Sequence, residues 1–206
     1  MSVLARWRLV LIVLGAVALA APILLYAISA GWIRLPINMP GVSPSNDDYA
    51  RVHNHPAAVR RAIDGQTIVV VLSGSDSEET VHLRGLAAPL PGAEFFGTQS
   101  AAIVGKLVEG QTVRLVLDRD GLRDSRGRWL AYVYLADGTM LNERILQAGA
   151  AYADTRVDHP LMGRFKQIEK HAAKAKVGLW ENVRADQLPD WRPDLRHRVA
   201  AASRAE

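Results

Sequence analysis

Few residues in this chain have side chains suited to chemistry. There is no Cys, which removes thiolate metal sites, cysteine nucleophiles and disulfides. Two of the 6 His flank Asn54 in the triplet His53-Asn54-His55. Without further metal-ligating His or a ββα setting, that triplet reads as a polar turn. Asp118, Asp120 and Asp124 crowd one loop. Asp is a common turn former and this spacing is not that of a calcium loop, so a solvated turn is expected. Asp158-His159 precedes Pro160 and reads as a helix cap, with His171 further along facing solvent. No nucleophile elbow, phosphate loop or dinucleotide fingerprint is present. Arg164, Lys166, Lys170, Lys174 and Lys176 concentrate positive charge late in the chain. They read as a solvated helix face, with a nucleic-acid patch as the alternative. The 206 residues carry a formal charge of +4. Between Ala50 and Glu181 there are 17 Lys and Arg against 15 Asp and Glu, a weak excess for a polyanion binder.

The elements that must position these residues are legible from periodicity. Ala57 to Ile63 leads into the turn Asp64-Gly65. Thr67 to Leu72 is β-branched and apolar, and Thr80 to Leu86 forms a third strand ended by Pro89 and Pro91. Ser100 to Val108 has a helical stripe of Ala102, Ile103 and Leu107, stopped at Gly110. Thr112 to Leu117 and Trp129 to Leu135 are strands separated by a charged loop. Leu141, Ile145 and Ala148 mark a short helix ended by Gly149. Leu161, Phe165, Ile168 and Ala172 form the stripe of a last amphipathic helix. Five short strands with interspersed helices suggest a small barrel with helices on one side.

Five strings in this order carry a resemblance. They are Ile63-Asp64-Gly65-Gln66-Thr67, Val81-His82-Leu83-Arg84-Gly85-Leu86-Ala87-Ala88-Pro89, Gly127 to Tyr134, Asp137 to Glu143, and Gly178-Leu179-Trp180. Together they resemble the staphylococcal nuclease family of thermonuclease-like domains, over roughly residues 55 to 181. The resemblance implies an α+β fold: an OB-like five-stranded β-barrel with three helices. It also implies calcium-dependent hydrolysis of DNA or RNA phosphodiesters. That chemistry uses two metal-binding carboxylates, a glutamate cast as general base, and two arginines that neutralise the transition state.

The family's site residues carry over poorly. The two carboxylate positions hold Gln66 and Ala87, and the glutamate position holds Leu90. The first arginine position holds His82, and only the second is kept, as Arg128. The substrate contacts just before it read Ser125 and Arg126. Arg84, two residues from His82, is expected on the opposite face of the strand and not to substitute for an arginine there. Glu94, four residues past Leu90, is a candidate replacement carboxylate, as is the Asp118, Asp120, Asp124 loop. No metal or other cofactor is expected on this pattern, with calcium required only if replaced ligands support hydrolysis.

Beyond the domain, Leu9 to Ile33 is 25 residues without a charge, long enough to span a bilayer. Arg6 and Arg8 precede it and Arg34 follows. The positive-inside rule then keeps residues 1–8 in the cytoplasm and places the domain on the periplasmic or extracytoplasmic side of a single-pass inner membrane protein. The rival reading is a cleaved signal with Ala18-Leu19-Ala20 at the cleavage site. Residues 34–50 read as a linker, 51–181 as the nuclease-like domain and 182–206 as a disordered tail. Two functions follow. One is a membrane-anchored, catalytically degenerate binding or scaffold module, with a protein or nucleic-acid partner besides the bilayer. The other is an active membrane-anchored nuclease working through replaced or displaced metal ligands.

Overall fold

The computed structural model describes residues 46–202. The apolar run 9–33, most of the linker and residues 203–206 lie outside the described residues. Among the described residues, no helix is long and apolar enough to cross a membrane.

Five strands close a barrel in the order β1-β2-β3-β6-β5. They are β1 (Pro56–Asp64), β2 (Thr67–Leu72), β3 (Glu78–Leu83), β5 (Thr112–Leu117) and β6 (Trp129–Tyr134). Alternation sends Ala57, Val59, Val113 and Leu115 inward, as period 2 requires. The register of β1 on β2 shifts between Val59 and Arg61, a bulge that bends the strand as barrel closure demands. All pairs are antiparallel except β3 with β6, which place Val81 beside Trp129 and Leu83 beside Ala131. Such a parallel pair needs a long crossover. Here the crossover contains α2 (Gly97–Val108) and β5. Two residues, Leu86–Ala87 (β4), pair with Tyr152–Ala153 (β7) beside the barrel. These strands are too short to show periodicity.

Helix α3 (Leu141–Gln147) is tied to the barrel through buried Asn142. Its Oδ1 accepts the Val133 N–H at 2.9 Å and its Nδ2 donates to the Arg84 carbonyl at 2.9 Å. Both backbone groups are thereby satisfied where the sheet ladder cannot reach them. Gly149 follows this helix at φ 61, and a Cβ there would stand 2.0 Å from the Val177 carbonyl oxygen. Only Gly fits that approach. Helix α4 (Met162–Lys174) buries Phe165 and Ala172 on the predicted stripe.

The structured domain is longer at both ends than the sequence suggested. Helix α1 (Asn46–Val52) begins inside the expected linker and fully buries Val52 against the barrel. Residues 182–202, expected to be a disordered tail, form a 3₁₀ turn (Ala185–Gln187) and helix α5 (Pro193–Ala202). Composition misled because the segment has few large apolar residues, but two of them, Leu188 and Leu195, are buried. The decisive residue is charged. Arg192 is 3% exposed and forms a two-pronged pair with Glu169 of α4, at 2.8 Å on both prongs. Glu169 also accepts the Ala153 N–H at 2.9 Å, and Arg192 donates to the Ala153 carbonyl at 3.2 Å. Burial disfavours the Arg192 charge, but the bonds to Glu169 and Asp194 outweigh it and raise its pKa.

Candidate functional site

The turn after β1 sets the first part of the site. Asp64 Oδ1 accepts the Gln66 N–H at 2.8 Å, an Asx-type bond that fixes the turn. It leaves Gln66 half-buried and Thr67 buried at the start of β2. Gln66 Oε1 then accepts the Ala88 N–H at 2.6 Å. The amide oxygen is therefore committed to the backbone beyond β4. Gln66, Ala87 and Leu90 line one cleft of about 190 Å³, together with Glu94, Tyr152 and Arg156. Three of the five family positions are thus brought together. Glu94 does not turn toward Gln66 or Ala87 for a bond. Its Oε2 accepts the Leu90 N–H at 2.6 Å and closes the Pro-rich turn.

The other two positions meet at Thr67. Its Oγ1 lies 3.4 Å from His82 Nδ1 and 3.4 Å from the Arg128 Nη1 donor. Register explains the first contact, since Thr67 pairs directly with His82 across β2 and β3. Arg128 is held by Asp124, with Nε donating to Oδ2 at 2.7 Å and Nη2 at 2.6 Å from the same oxygen. Burial alone would raise the Asp124 pKa, but the hydrogen bonds from Arg128 outweigh it and hold it low. Burial pushes the His82 pKa down, and the Arg128 charge pushes it further the same way. His82 is therefore biased toward the neutral imidazole, not a replacement cation for the missing arginine.

Arg84 extends from the end of β3 to an ion pair with Asp118 at 2.8 Å. The Asp118, Asp120, Asp124 loop is thereby divided, with Asp118 on Arg84 and Asp124 on Arg128. Among the described residues, no three His, Asp or Glu side chains are grouped to hold a metal ion. His53 sits in a turn, as expected, stacked on Tyr49 at 4.4 Å. Ser125, Arg126 and His171 are exposed. Asp158-His159 does not cap α4: Leu161 holds that position without a side-chain cap. His159 is instead 7% exposed, with Nδ1 3.0 Å from Tyr132 Oη. Burial raises the Tyr132 pKa and lowers that of His159, so both groups are biased toward their neutral forms. A side chain at residue 85 would collide with that ring, which explains Gly85.

Calcium does not fit this donor set. A hard cation takes six to eight oxygens, usually with carboxylates among them. Ala87 and Leu90 offer no side-chain oxygen, and the Gln66 oxygen is already bonded.

Sequence reasoning missed the far wall of the cleft. Gln187, Pro189 and Trp191 line it from the segment beyond residue 182. Arg156 spans the gap, pairing with Asp154 at 2.8 Å while its guanidinium lies 4.4 Å from the Trp191 ring centre. One signal was available. Glu169 is four residues past Phe165 and three before Ala172, so it had to lie on the buried stripe and needed a cation.

Comparison with known proteins agrees with this architecture. Residues 69–182 match the family described as Staphylococcal nuclease homologue. The chain is similar to a protein named Thermonuclease from Staphylococcus intermedius, 31% identical over 150 residues that span 68% of this chain and 85% of that protein. It is similar to an Uncharacterized endonuclease from Escherichia coli O157:H7, 32% identical over 135 residues, spanning 65% of this chain and 80% of that protein. A Thermonuclease from Staphylococcus hyicus is 29% identical over 178 residues, spanning 82% and 96% of the two chains. With its closed five-stranded barrel and a family match over more than half its length, the chain belongs to the staphylococcal nuclease homologues.

Proposed function

We propose that this chain is a membrane-anchored, extracytoplasmic nuclease-like domain that has lost calcium-dependent hydrolysis and acts as a binding module. One observation carries the reading. The cleft holds Gln66, Ala87 and Leu90 where the resemblance implies two metal carboxylates and a glutamate, and the one kept arginine, Arg128, is engaged by Asp124. Losing one transition-state donor costs on the order of 10²- to 10³-fold in rate. Losses within one cooperative site need not add, but several together leave little. The tether is supported by the uncharged run Leu9 to Ile33, and the orientation by Arg6 and Arg8.

A second reading, phosphodiester hydrolysis, is favoured by relatives named Thermonuclease and Uncharacterized endonuclease. The two are separated by incubating the purified full chain with denatured DNA, with calcium and with a chelator. A variant carrying Gln66→Asp, His82→Arg, Ala87→Asp and Leu90→Glu runs beside it. The native chain is expected to leave the DNA intact in both conditions. Calcium-dependent cleavage by the native chain establishes the second reading and sends the search for ligands to Glu94 and the Asp118 loop.

A further inference from the structure

Helix α4, the 3₁₀ turn after it (Gly178–Glu181) and α5 enclose a groove of about 400 Å³, with a lining distinct from that of the cleft. Its floor is apolar, built from Ala173, Trp180, Val183, Leu195 and Val199. Its lining also carries Lys170, Lys174, Lys176 and Arg198, against one carboxylate, Glu181. Lys170 and Lys174 are exposed and have no ion-pair partner among the described residues. Arg198 reaches Asp194 only at 3.8 Å, with both side chains more than half exposed. Exposed pairs of that kind contribute little, so fold stability does not account for the cluster.

An apolar floor under a cationic rim suits a molecule with an anionic head and a hydrocarbon body. A polynucleotide would use the cations and leave the floor against solvent. The 12 residues between Ile33 and Asn46 span at most about 40 Å when fully extended, so a tethered domain stays close to the bilayer surface. We propose that this groove seats an anionic phospholipid of the bilayer, with the head on Lys170, Lys174 and Arg198 and the upper chain against Val183 and Val199. The inference rests on the tether proposed above. It gives the binding module a defined face toward the membrane. Each cation near an acidic surface strengthens such contact about fivefold, so three together contribute about a hundredfold.

The test uses the full chain in lipid nanodiscs, made either of phosphatidylcholine or with about one third phosphatidylglycerol. Hydrogen exchange is followed in residues 166–202. The acidic discs are expected to slow exchange there severalfold, with barrel amides unchanged. The triple variant Lys170→Glu, Lys174→Glu, Arg198→Glu should abolish the difference, and Val183→Ser should weaken it. Equal exchange in the two discs overturns the proposal, as does protection that survives the triple variant. Slowing by a single-stranded oligonucleotide in place of acidic lipid also overturns it and assigns the cations to nucleic acid. If the chain separates from zwitterionic discs, the tether has failed, and the groove is read by flotation of the full chain with phosphatidylglycerol vesicles. Flotation lost in the triple variant supports the groove; no flotation overturns it.

Discussion

Replacing Arg192 by Met tests what holds residues 184–202 on the domain. The change keeps much of the side-chain length but removes both prongs to Glu169. Glu169, 3% exposed at its side chain, would retain the Ala153 N–H and no cation. Breaking a buried pair from one side costs about 3–5 kcal/mol, mostly through the charge left behind. For a domain of this size, about 2–4 °C is lost per kcal/mol, so the melting temperature should fall by roughly 6–20 °C. The loss has a ceiling. If undocking the distal segment is cheaper than keeping Glu169 buried, the segment releases and the carboxylate regains water. Burial of Leu188 and Leu195 opposes release by about 1.5–3 kcal/mol each, an amount comparable with the penalty. The assay therefore pairs denaturant unfolding with hydrogen exchange across 184–202. Arg192→Met is expected to lose stability or to expose that segment, and adding Glu169→Gln should recover part of the loss. A change below about 1 kcal/mol with the segment still protected would refute the reasoning, because that is the scale of an exposed pair.

Three further outcomes are expected. Burial and Arg128 lower the His82 pKa, and burial and Arg84 lower that of His159, so the unfolded chain binds these protons more readily. Their contribution is fully present above the ordinary His pKa of about 6.5 and is lost as pH falls from there through the folded values, so thermal melts should drop below pH 6.5, less steeply in His82→Gln. Gly149→Ala should cost at least about 2 kcal/mol in denaturant unfolding, since it combines a left-handed φ with a backbone clash at 2.0 Å. Gln66→Ala should cost about 1 kcal/mol by releasing the Ala88 N–H, and should increase exchange at that amide.

The barrel was legible because β1 and β5 show alternation, because β2 is a short β-branched apolar run, and because Gly110 and Gly149 punctuate the helices. The parallel pairing of β3 with β6 was not, since periodicity reports which residues face inward and not which strand lies alongside. His159 was misread because Asp-His-Pro before a helix is a good local cap, and the tertiary partner, Tyr132, is 27 residues away. Arg84, expected opposite His82, lines the same pocket as His82, because residues i and i+2 share a face of a strand, and it is paired with Asp118. The residues at the five positions that the resemblance picks out are plain in the sequence. What the sequence did not reveal was their internal bonding, such as Gln66 to Ala88, and the wall supplied by Gln187, Pro189 and Trp191.

Glu169 and Arg192 are separated by 23 residues, and this spacing has a consequence for biogenesis. Chains emerge from the ribosome N-terminus first, and domains tend to fold in that order. While residue 192 is still inside the ribosome, α4 has a carboxylate on its apolar face and no cation to neutralise it. The barrel can be complete in sequence and still lack this last clasp. Stalled chains whose C-terminal linkers keep residue 192 inside the exit tunnel or carry it clear should therefore differ in protease resistance around α4; equal resistance would show that the clasp does not time folding.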